Sequence, residues 1–224
     1  MKRALDFIIS LFALIILSPL FLFVSLVILI SDGKPILFRQ ERVGRNNELF
    51  TIYKFRTMKR GTENVASGAL ENANSKITKF GKILRATSID ELPQLFNILN
   101  GTMSLIGPRP LIPEETEIRQ LREKYNVYSI RPGITGWAQI NGRDNITMEN
   151  KALLDKEYVE KQSLAFDIKI FFLTVLKVLR RDDVREGSDE IFLKRNALVF
   201  DILCGLNADK AVMPRLIDNL CYTP

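Results

Sequence analysis

The chain of 224 residues contains no histidine and only two cysteines. Histidine is the commonest general base near neutral pH and the commonest metal ligand. Any catalysis here is therefore expected to use carboxylates, with a hard, oxygen-binding ion such as Mg²⁺ as the cofactor. Cys204 and Cys221 lie near the C-terminal end. They do not form the framework of a disulfide-rich domain, and their placement is compatible with a reducing cytosol.

Charge is absent from Phe7 to Ile30, a run of 24 residues. A straight helix of that length would extend roughly 36 Å, which is enough to cross the ~30 Å hydrocarbon layer of a membrane. A secretory signal would have a shorter apolar core and a cleavage site of small residues, whereas Ser31-Asp32-Gly33-Lys34 follows here. The simplest interpretation of the run is a membrane-spanning helix.

The flanks of this run favour a different path through the membrane. Basic residues mark the cytoplasmic side, and they occur on both sides of the run: Lys2, Arg3, Lys34, Arg39, Arg42 and Arg45. Ser18-Pro19 interrupts the run, where proline removes one backbone hydrogen bond and the serine hydroxyl can bond to the freed carbonyl. We predict a re-entrant helix-break-helix that enters and leaves one leaflet, with the break at Ser18 and Pro19.

Positive charge is concentrated directly after the apolar run. The chain has a net charge of +6, and residues 33–60 contain eight basic and two acidic residues. Juxtamembrane positive charge is attracted to anionic lipid headgroups. Because this basic region lies beside a membrane anchor and no nucleic-acid-binding module accompanies it, we expect membrane lipids as partners and no nucleic acid.

Asp90 and Glu91 form an adjacent acidic pair ahead of a second apolar segment. Ser88 and Glu91 have the spacing of a helix capping box, which would give the pair a purely structural role. Pro93 disturbs that interpretation, since proline is tolerated only in the first turn of a helix. We predict a helix that begins near Leu92 or Pro93, with both acids at its N-terminal end, where a carboxylate stays ionised beside a phosphate-binding site.

The remaining pattern predicts an α+β fold that is mostly helical. Ile36 to Met58 is typical of a β-hairpin around Gly44-Arg45-Asn46-Asn47. Helices are expected over 111–125, 151–162 and 164–181, and Arg131 to Trp137 is expected to be a loop. The apolar face of the last helix either packs in the core or lies amphipathically at the membrane interface.

Basic side chains occur in segments that are expected to be rigid. The candidates for phosphate contacts, which follow a strand or adjoin proline, glycine or the acidic pair, are Lys54, Arg56, Arg85, Arg109 and Arg143. The guanidinium group of arginine matches phosphate oxygens, although a single such residue is more often a surface charge. Several of them together with an acidic pair indicate a diphosphate substrate.

With these motifs in view, the chain resembles the bacterial sugar transferases, the monotopic phosphoglycosyl transferases that act on polyprenol phosphate. The resemblance covers roughly residues 1–182, and the length is similar to that of the small, catalytic-domain-only form. It is carried by these segments: Lys2-Arg3 with Asp6, Ser18-Pro19, Lys54-Phe55-Arg56-Thr57-Met58, Asp90-Glu91-Leu92-Pro93-Gln94, Gly107-Pro108-Arg109-Pro110, and Arg131-Pro132-Gly133-Ile134-Thr135-Gly136-Trp137-Ala138-Gln139-Ile140-Asn141-Gly142-Arg143.

This resemblance implies transfer of a sugar 1-phosphate from a UDP-sugar to undecaprenyl phosphate, which gives undecaprenyl-diphospho-sugar and UMP. Asp90 would be the nucleophile and form a covalent aspartyl phosphosugar. Glu91 would bind Mg²⁺ with Asp90 or act on the acceptor, and the sequence leaves that choice open. Other candidates for substrate binding are Gln139, Asn141 and Asp167. Expected protein partners are a second copy of the chain, as a homo-oligomer, and downstream glycosyltransferases.

Two other functions are compatible with parts of the pattern. A non-catalytic membrane scaffold of a glycan-assembly complex would use the basic face but leave Asp90 and Glu91 without a role. A UDP-sugar diphosphatase would use the same acids and Mg²⁺ on water, but it would not need the apolar anchor. Release of UMP that depends on undecaprenyl phosphate distinguishes the transferase from both.

The predicted organisation is a membrane hairpin over 1–32, a catalytic domain over 33–182 and a C-terminal segment of unassigned role over 183–224. We expect the catalytic domain on the cytoplasmic face of the bacterial inner membrane. The motifs identify neither the sugar nor the glycan pathway.

Overall fold

The computed structural model describes residues 1–62, 73–142 and 146–180. Arg143 and the segment from 183 onward, for which the sequence made predictions, lie outside these ranges. Within them the fold is mostly helical with two small sheets. The helices and strands are α1 (Lys2–Ser31), β1 (Leu37–Val43), β2 (Leu49–Phe55), α2 (Ala73–Lys76), α3 (Lys79–Ala86), α4 (Gln94–Asn100), β3 (Ser104–Ile106), α5 (Thr116–Lys124), β4 (Gly133–Thr135), α6 (Trp137–Ile140), α7 (Met148–Lys161) and α8 (Leu164–Arg180).

The predicted hairpin is confirmed. Strands β1 and β2 pair antiparallel in a register that places Gln40 opposite Ile52. Asn46 and Asn47 have positive φ angles of 56° and 61° in the turn, which asparagine tolerates better than most residues. The hairpin therefore forms as its turn composition indicated, with β1 ending at Val43 directly before the turn.

The predicted break at Ser18 and Pro19 is not present, because α1 continues through Pro19 as one helix. The physical reason lies in the carbonyl of Ile15, four residues before the proline, which loses its normal backbone donor. The Ser18 hydroxyl donates to this Ile15 oxygen at 2.8 Å. The lost hydrogen bond is thus replaced locally, as expected of Ser18, and the helix does not need to end.

Both ends of α1 contact the same folded unit. Near the start of α1, Arg3 Nη2 donates to the Leu99 carbonyl at 2.9 Å, and Asp6 accepts from the Ser104 hydroxyl at 2.8 Å. Near its end, Val24 and Ile28 are buried in a cluster with Phe55 and Leu84. One side of the helix is therefore attached to the domain along nearly its whole length.

The other side of α1 is exposed and apolar. Among the described residues, α1 is the helix that is long and apolar enough to cross a membrane. Its most exposed large side chains are Phe12, Ile15, Ile16, Leu22, Phe23 and Ile30, and Ile30 is 83% exposed. Such a continuous apolar surface on a folded chain marks a contact with lipid or another protein.

The apolar face of helix α8 is partly buried in the core and partly exposed. Ile170 is fully buried and packs with Ile106, Ile140 and Tyr158, so part of the face belongs to the core. In contrast, Ile168, Phe171, Phe172 and Val175 are exposed, with Phe172 at 61%. Core packing thus accounts for one stripe of the helix, while a second apolar stripe is left uncovered.

The sequence did not predict the parallel pairing of β3 with β4, and the loop expected over 131–137 contains β4. Close backbone contact requires glycine here. A Cβ atom on Gly133 would lie 2.1 Å from the Gly107 nitrogen, and one on Gly136 would lie 2.1 Å from the Gly107 oxygen. Strands of three residues show no alternating pattern, so only the glycines indicated this approach.

The remaining helices follow the predictions with shifted ends. Helix α5 starts at Thr116 rather than Leu111, since Pro113 disfavours helical backbone angles at Ile112, the residue before it. Helix α7 starts at Met148 rather than Lys151, because the Thr147 hydroxyl caps it by accepting from the Asn150 amide. Helix α8 begins at Leu164 as predicted.

We expect Gly133→Ala to lower the free energy of unfolding by about 3 kcal/mol, because the added methyl group would overlap backbone atoms of Gly107 that cannot move aside. Thermal unfolding in detergent would measure the change. Ile134→Val, the control in the same strand, removes one methyl group without backbone overlap and should cost about 1 kcal/mol. Equal losses for the two variants would show that the close approach is not a constraint.

Candidate active site

Asp90 and Glu91 lie in a single 3₁₀ turn, Ile89–Glu91, between α3 and α4. The capping box considered for Ser88 and Glu91 does not form: Ser88 has a φ of 56° and makes no side-chain cap hydrogen bond. Pro93 occupies the position before α4. The prediction that both acids lie just outside the N-terminal end of this helix is therefore confirmed.

Glu91 is held by two cations from different parts of the chain. Its Oε1 atom lies 2.6 Å from Lys54 Nζ on β2 and 3.5 Å from Arg109 Nη1 after β3. Burial lowers the pKa of Lys54, while the neighbouring charge of Glu91 raises it. The ion pair thus favours the charged form of a desolvated lysine next to the acidic pair.

Asp90 is buried, with 8% of its surface exposed. Burial, followed by the negative charge of Glu91, raises its pKa from 3.8 to about 6, and the charges of Lys54 and Arg85 act in the opposite direction. A carboxylate with this pKa is ionised at neutral pH, yet it is poorly solvated and hence more reactive than one in water. The site can therefore present a nucleophilic carboxylate.

Arg85 and Arg56 approach this region from different elements, Arg85 from α3 and Arg56 from the position after β2. Arg85 Nε donates to the Thr57 hydroxyl at 2.9 Å, and its charge acts on Asp90. Arg56 is buried and its Nη2 donates to the Gly33 carbonyl at 2.7 Å, at the end of α1. Arg85 is thus beside the acidic pair, whereas the contact observed for Arg56 is with the anchor helix.

A small, partly open cleft with an interior volume of about 10 Å³ lies beside Lys54 and Arg109, the partners of Glu91, and its other lining residues are Arg42, Ile52, Gln94, Pro110 and Gly133. Sequence reasoning did not select Arg42 and Gln94 as site residues. Burial and the charge of Arg109 lower the pKa of Arg42 to about 10. The basic residues in β1 are the sequence feature that could have identified Arg42 as a site residue. Three cations around one cleft favour an anionic ligand.

Other predicted site residues make local contacts. Gln139 donates to the Ile134 carbonyl at 3.0 Å, and Asn141 Nδ2 donates to the Trp137 carbonyl at 2.8 Å. Asp167 is paired with Lys2 and accepts from the Tyr158 hydroxyl at 2.6 Å. These contacts stabilise β4, α6 and the start of α1, and the substrate-binding roles of the three residues stay predictions.

Comparison with known proteins identifies a family of sugar transferases that matches this chain. It matches the family described as bacterial sugar transferase over residues 1–181. It is 41% identical over 188 residues to the uncharacterized sugar transferase EpsL of Bacillus subtilis (strain 168). The aligned region covers 84% of this chain and 92% of that protein.

Two relatives carry names that specify a reaction. The UDP-glucose:undecaprenyl-phosphate glucose-1-phosphate transferase of Escherichia coli (strain K12) is 42% identical over 185 residues, or 79% of this chain and 40% of that protein. The undecaprenyl-phosphate galactose phosphotransferase of Salmonella typhimurium is 38% identical over 197 residues, or 81% and 41%. This chain thus spans less than half the length of both.

The matched region contains α1, the hairpin, the acidic pair and the cationic cleft. Its extent, together with the identity to relatives of both short and long forms, shows that this chain belongs to the bacterial sugar transferase family.

Proposed function

We propose that this chain transfers a sugar 1-phosphate from a UDP-sugar to undecaprenyl phosphate, as the first membrane step of bacterial glycoconjugate synthesis. The observation that carries the proposal is the buried Asp90, which lies next to a glutamate paired with Lys54 and Arg109 beside a cationic cleft. The names of the E. coli and Salmonella relatives support the substrate class.

In the proposed first step, an Asp90 carboxylate oxygen attacks the phosphorus atom that bears the sugar. The bond between this phosphorus and the bridging oxygen of the diphosphate breaks, and UMP leaves with that oxygen. In the second step an oxygen of undecaprenyl phosphate attacks the aspartyl phosphosugar, which releases Asp90 and forms undecaprenyl-diphospho-sugar. Splitting the transfer in this way lets two anionic phosphates react in turn with one residue.

The cations beside Asp90 have a defined part in this scheme. Attack by a carboxylate on a diphosphate brings negative charges together, which raises the barrier unless fixed positive charge is present. Lys54 and Arg109 are already oriented by Glu91, and Arg42 lies in the same cleft. We assign these three side chains, with Arg85, to the phosphate groups of the substrates.

We also propose that Asp90 and Glu91 hold Mg²⁺ together with substrate phosphates. Among the residues that the structure describes, no group of three or more His, Cys, Asp or Glu side chains is arranged to hold a metal. Mg²⁺ commonly takes only one or two carboxylates and completes its shell with phosphate and water, so the pair fits this ion. When bound, the ion would neutralise phosphate charge.

For the membrane, we propose that α1 enters and leaves the inner leaflet as one continuous helix with a bend at Pro19, and that the folded unit lies on the cytoplasmic face. Attachment of both helix ends to the same unit supports this, because a perpendicular crossing would separate them. The exposed apolar sides of α1 and α8 are the surfaces that lipid would cover. In this position the acceptor phosphate reaches the site without leaving the bilayer surface.

Asp90→Asn should abolish UMP release from UDP-glucose and UDP-galactose, because an amide cannot form the acyl phosphate that links Asp90 to the sugar phosphate. The assay would follow UMP with and without undecaprenyl phosphate and Mg²⁺. Asp32→Asn makes the same chemical change outside the site and should retain full activity. Substantial turnover by the Asp90 variant would contradict the nucleophile assignment.

The rate of UMP release should depend on pH through Asp90, whose ionised form reacts. Since the pKa of Asp90 is raised to about 6, kcat/KM should rise about tenfold per unit below pH ~6 and level off above it. Glu91→Gln removes a negative charge and should move the midpoint downward. A midpoint that stays in place or rises in this variant would show that the titrating group is not Asp90.

The raised pKa of Asp90 also makes the free energy of unfolding depend on pH. Because the protonated carboxyl is the better buried form, Asp90 adds to the free energy of unfolding at pH values below about 4. This contribution disappears as the pH rises through about 6. The free energy of unfolding is thus lower at the pH values where the Asp90 carboxylate is ionised.

Cysteine labelling should place both ends of α1 on the cytoplasmic side. In a chain with Cys204→Ser and Cys221→Ser, we would introduce Ala4→Cys or Lys34→Cys, both at exposed positions. Neither cysteine should react with an impermeant maleimide in intact spheroplasts, and both should react after permeabilisation. Labelling of Ala4→Cys alone from outside would establish a spanning helix.

A further inference from the structure

A fully buried ion pair lies behind the cleft. Arg122 on α5 is 2% exposed and Asp155 on α7 is 0% exposed. Arg122 donates to the Asp155 Oδ2 atom through Nε at 2.8 Å, and its Nη2 lies 2.6 Å from the same oxygen. Burial of two charges is costly and is often no more stabilising than an apolar pair. Stabilisation of the fold alone therefore does not account for this pair.

The third nitrogen of Arg122 makes a contact toward the active site. Its Nη1 donates to the main-chain carbonyl of Arg109 at 2.8 Å. The adjacent carbonyls are held as well: Arg42 Nη1 donates to Pro110 at 3.1 Å, and the Val43 amide donates to Leu111 at 2.8 Å. Three successive carbonyls of the segment 107–111, the Arg109 loop, are thus fixed.

The side chain of Arg109 gains its direction from this backbone. It is 41% exposed, and its guanidinium lies 3.5 Å from Glu91. A long side chain on a mobile loop would lose much of its orientation, whereas one on a fixed backbone keeps fewer accessible rotamers. The contact from Arg122 fixes the peptide plane directly after the Arg109 Cα atom.

We propose that Arg122, itself oriented by Asp155, is a positioning residue that directs the Arg109 guanidinium toward Glu91 and the cleft. The inference rests on the proposed function for its kinetic consequence, but the geometric part stands without it. Arg122 does not touch substrate in this arrangement, since its three contacting nitrogens are occupied by Asp155 and the Arg109 carbonyl.

The kinetic test uses Arg122→Lys, which keeps a charge for Asp155 but cannot reach both partners with a planar fork. With UDP-glucose and UDP-galactose as donors, we expect kcat for UMP release to fall about 10- to 100-fold, as for other small misplacements of a catalytic group. The double variant Arg109→Gln with Arg122→Lys should be no slower than Arg109→Gln alone. Multiplication of the two losses would overturn the proposal.

Arg119→Lys is the matched control. Arg119 lies on the same helix, and its Nη1 donates to the Pro113 carbonyl at 2.7 Å, outside the Arg109 loop. This variant should retain kcat within about twofold, since no site group depends on it. Thermal unfolding of all variants in detergent would separate loss of fold from loss of orientation. Asp155→Asn, which keeps the side-chain volume, would replace Arg122→Lys if the latter failed to fold.

A measurement without substrate distinguishes this proposal from the proposed function. NMR of arginine side chains in the detergent-solubilised chain reports rotation about the Nε–Cζ bond, and the Arg109 signal is assigned from its loss in Arg109→Gln. Rotation should be slow in the wild type and in Arg119→Lys, and fast in Arg122→Lys. If the wild-type chain released no UMP while Arg109 still rotated faster in Arg122→Lys than in the wild type, the proposed function would be wrong. The positioning role would then stand. Unchanged rotation in Arg122→Lys would overturn the positioning role.

Discussion

The site depends on keeping two adjacent carboxylates together in a buried turn. Like charges at this spacing repel, and burial removes the water that would weaken the repulsion. Lys54 and Arg109 compensate by pairing with Glu91, which leaves Asp90 as the carboxylate that carries the raised pKa. The same arrangement makes the two neighbouring acids different: Glu91 is paired with cations, whereas Asp90 has a raised pKa.

The rest of the fold brings these charges to one place. Lys54 comes from the hairpin, the acidic pair from the turn between α3 and α4, and Arg109 from the loop after β3. Gly107 and Gly133 allow the backbones behind Arg109 to approach more closely than any larger residue would permit. Helix α1 packs against β2, α3 and α4, so the element that would meet lipid also supports the reactive turn.

The sequence predicted those parts of the structure that are local. The hairpin, the turn before α4 and the amphipathic α8 follow from turn residues, Pro93 and periodicity. It did not predict the β3–β4 pairing, because three-residue strands have no period, nor the role of Arg42 in the cleft, because that depends on how β1 meets the Arg109 loop. The sequence identified Pro19, but the break predicted there does not form. The Ser18 hydroxyl replaces the lost backbone hydrogen bond, and whether it can do so depends on the rotamer of Ser18. The contact between Asp167 and Lys2 was not predicted either, because it joins residues that are far apart in the sequence.

The hydrogen bond from Ser18 to Ile15 has a consequence for the mechanics of α1. The oxygen that proline deprives of an amide partner already has a hydroxyl donor, and this donor moves with the neighbouring residue. Tilting the axis at that point therefore exposes no unsatisfied group to hydrocarbon, where one would cost several kcal/mol. Straight and angled forms of the helix would then differ mainly in side-chain packing, so the contacts of α1 with β2, α3 and α4 set the angle.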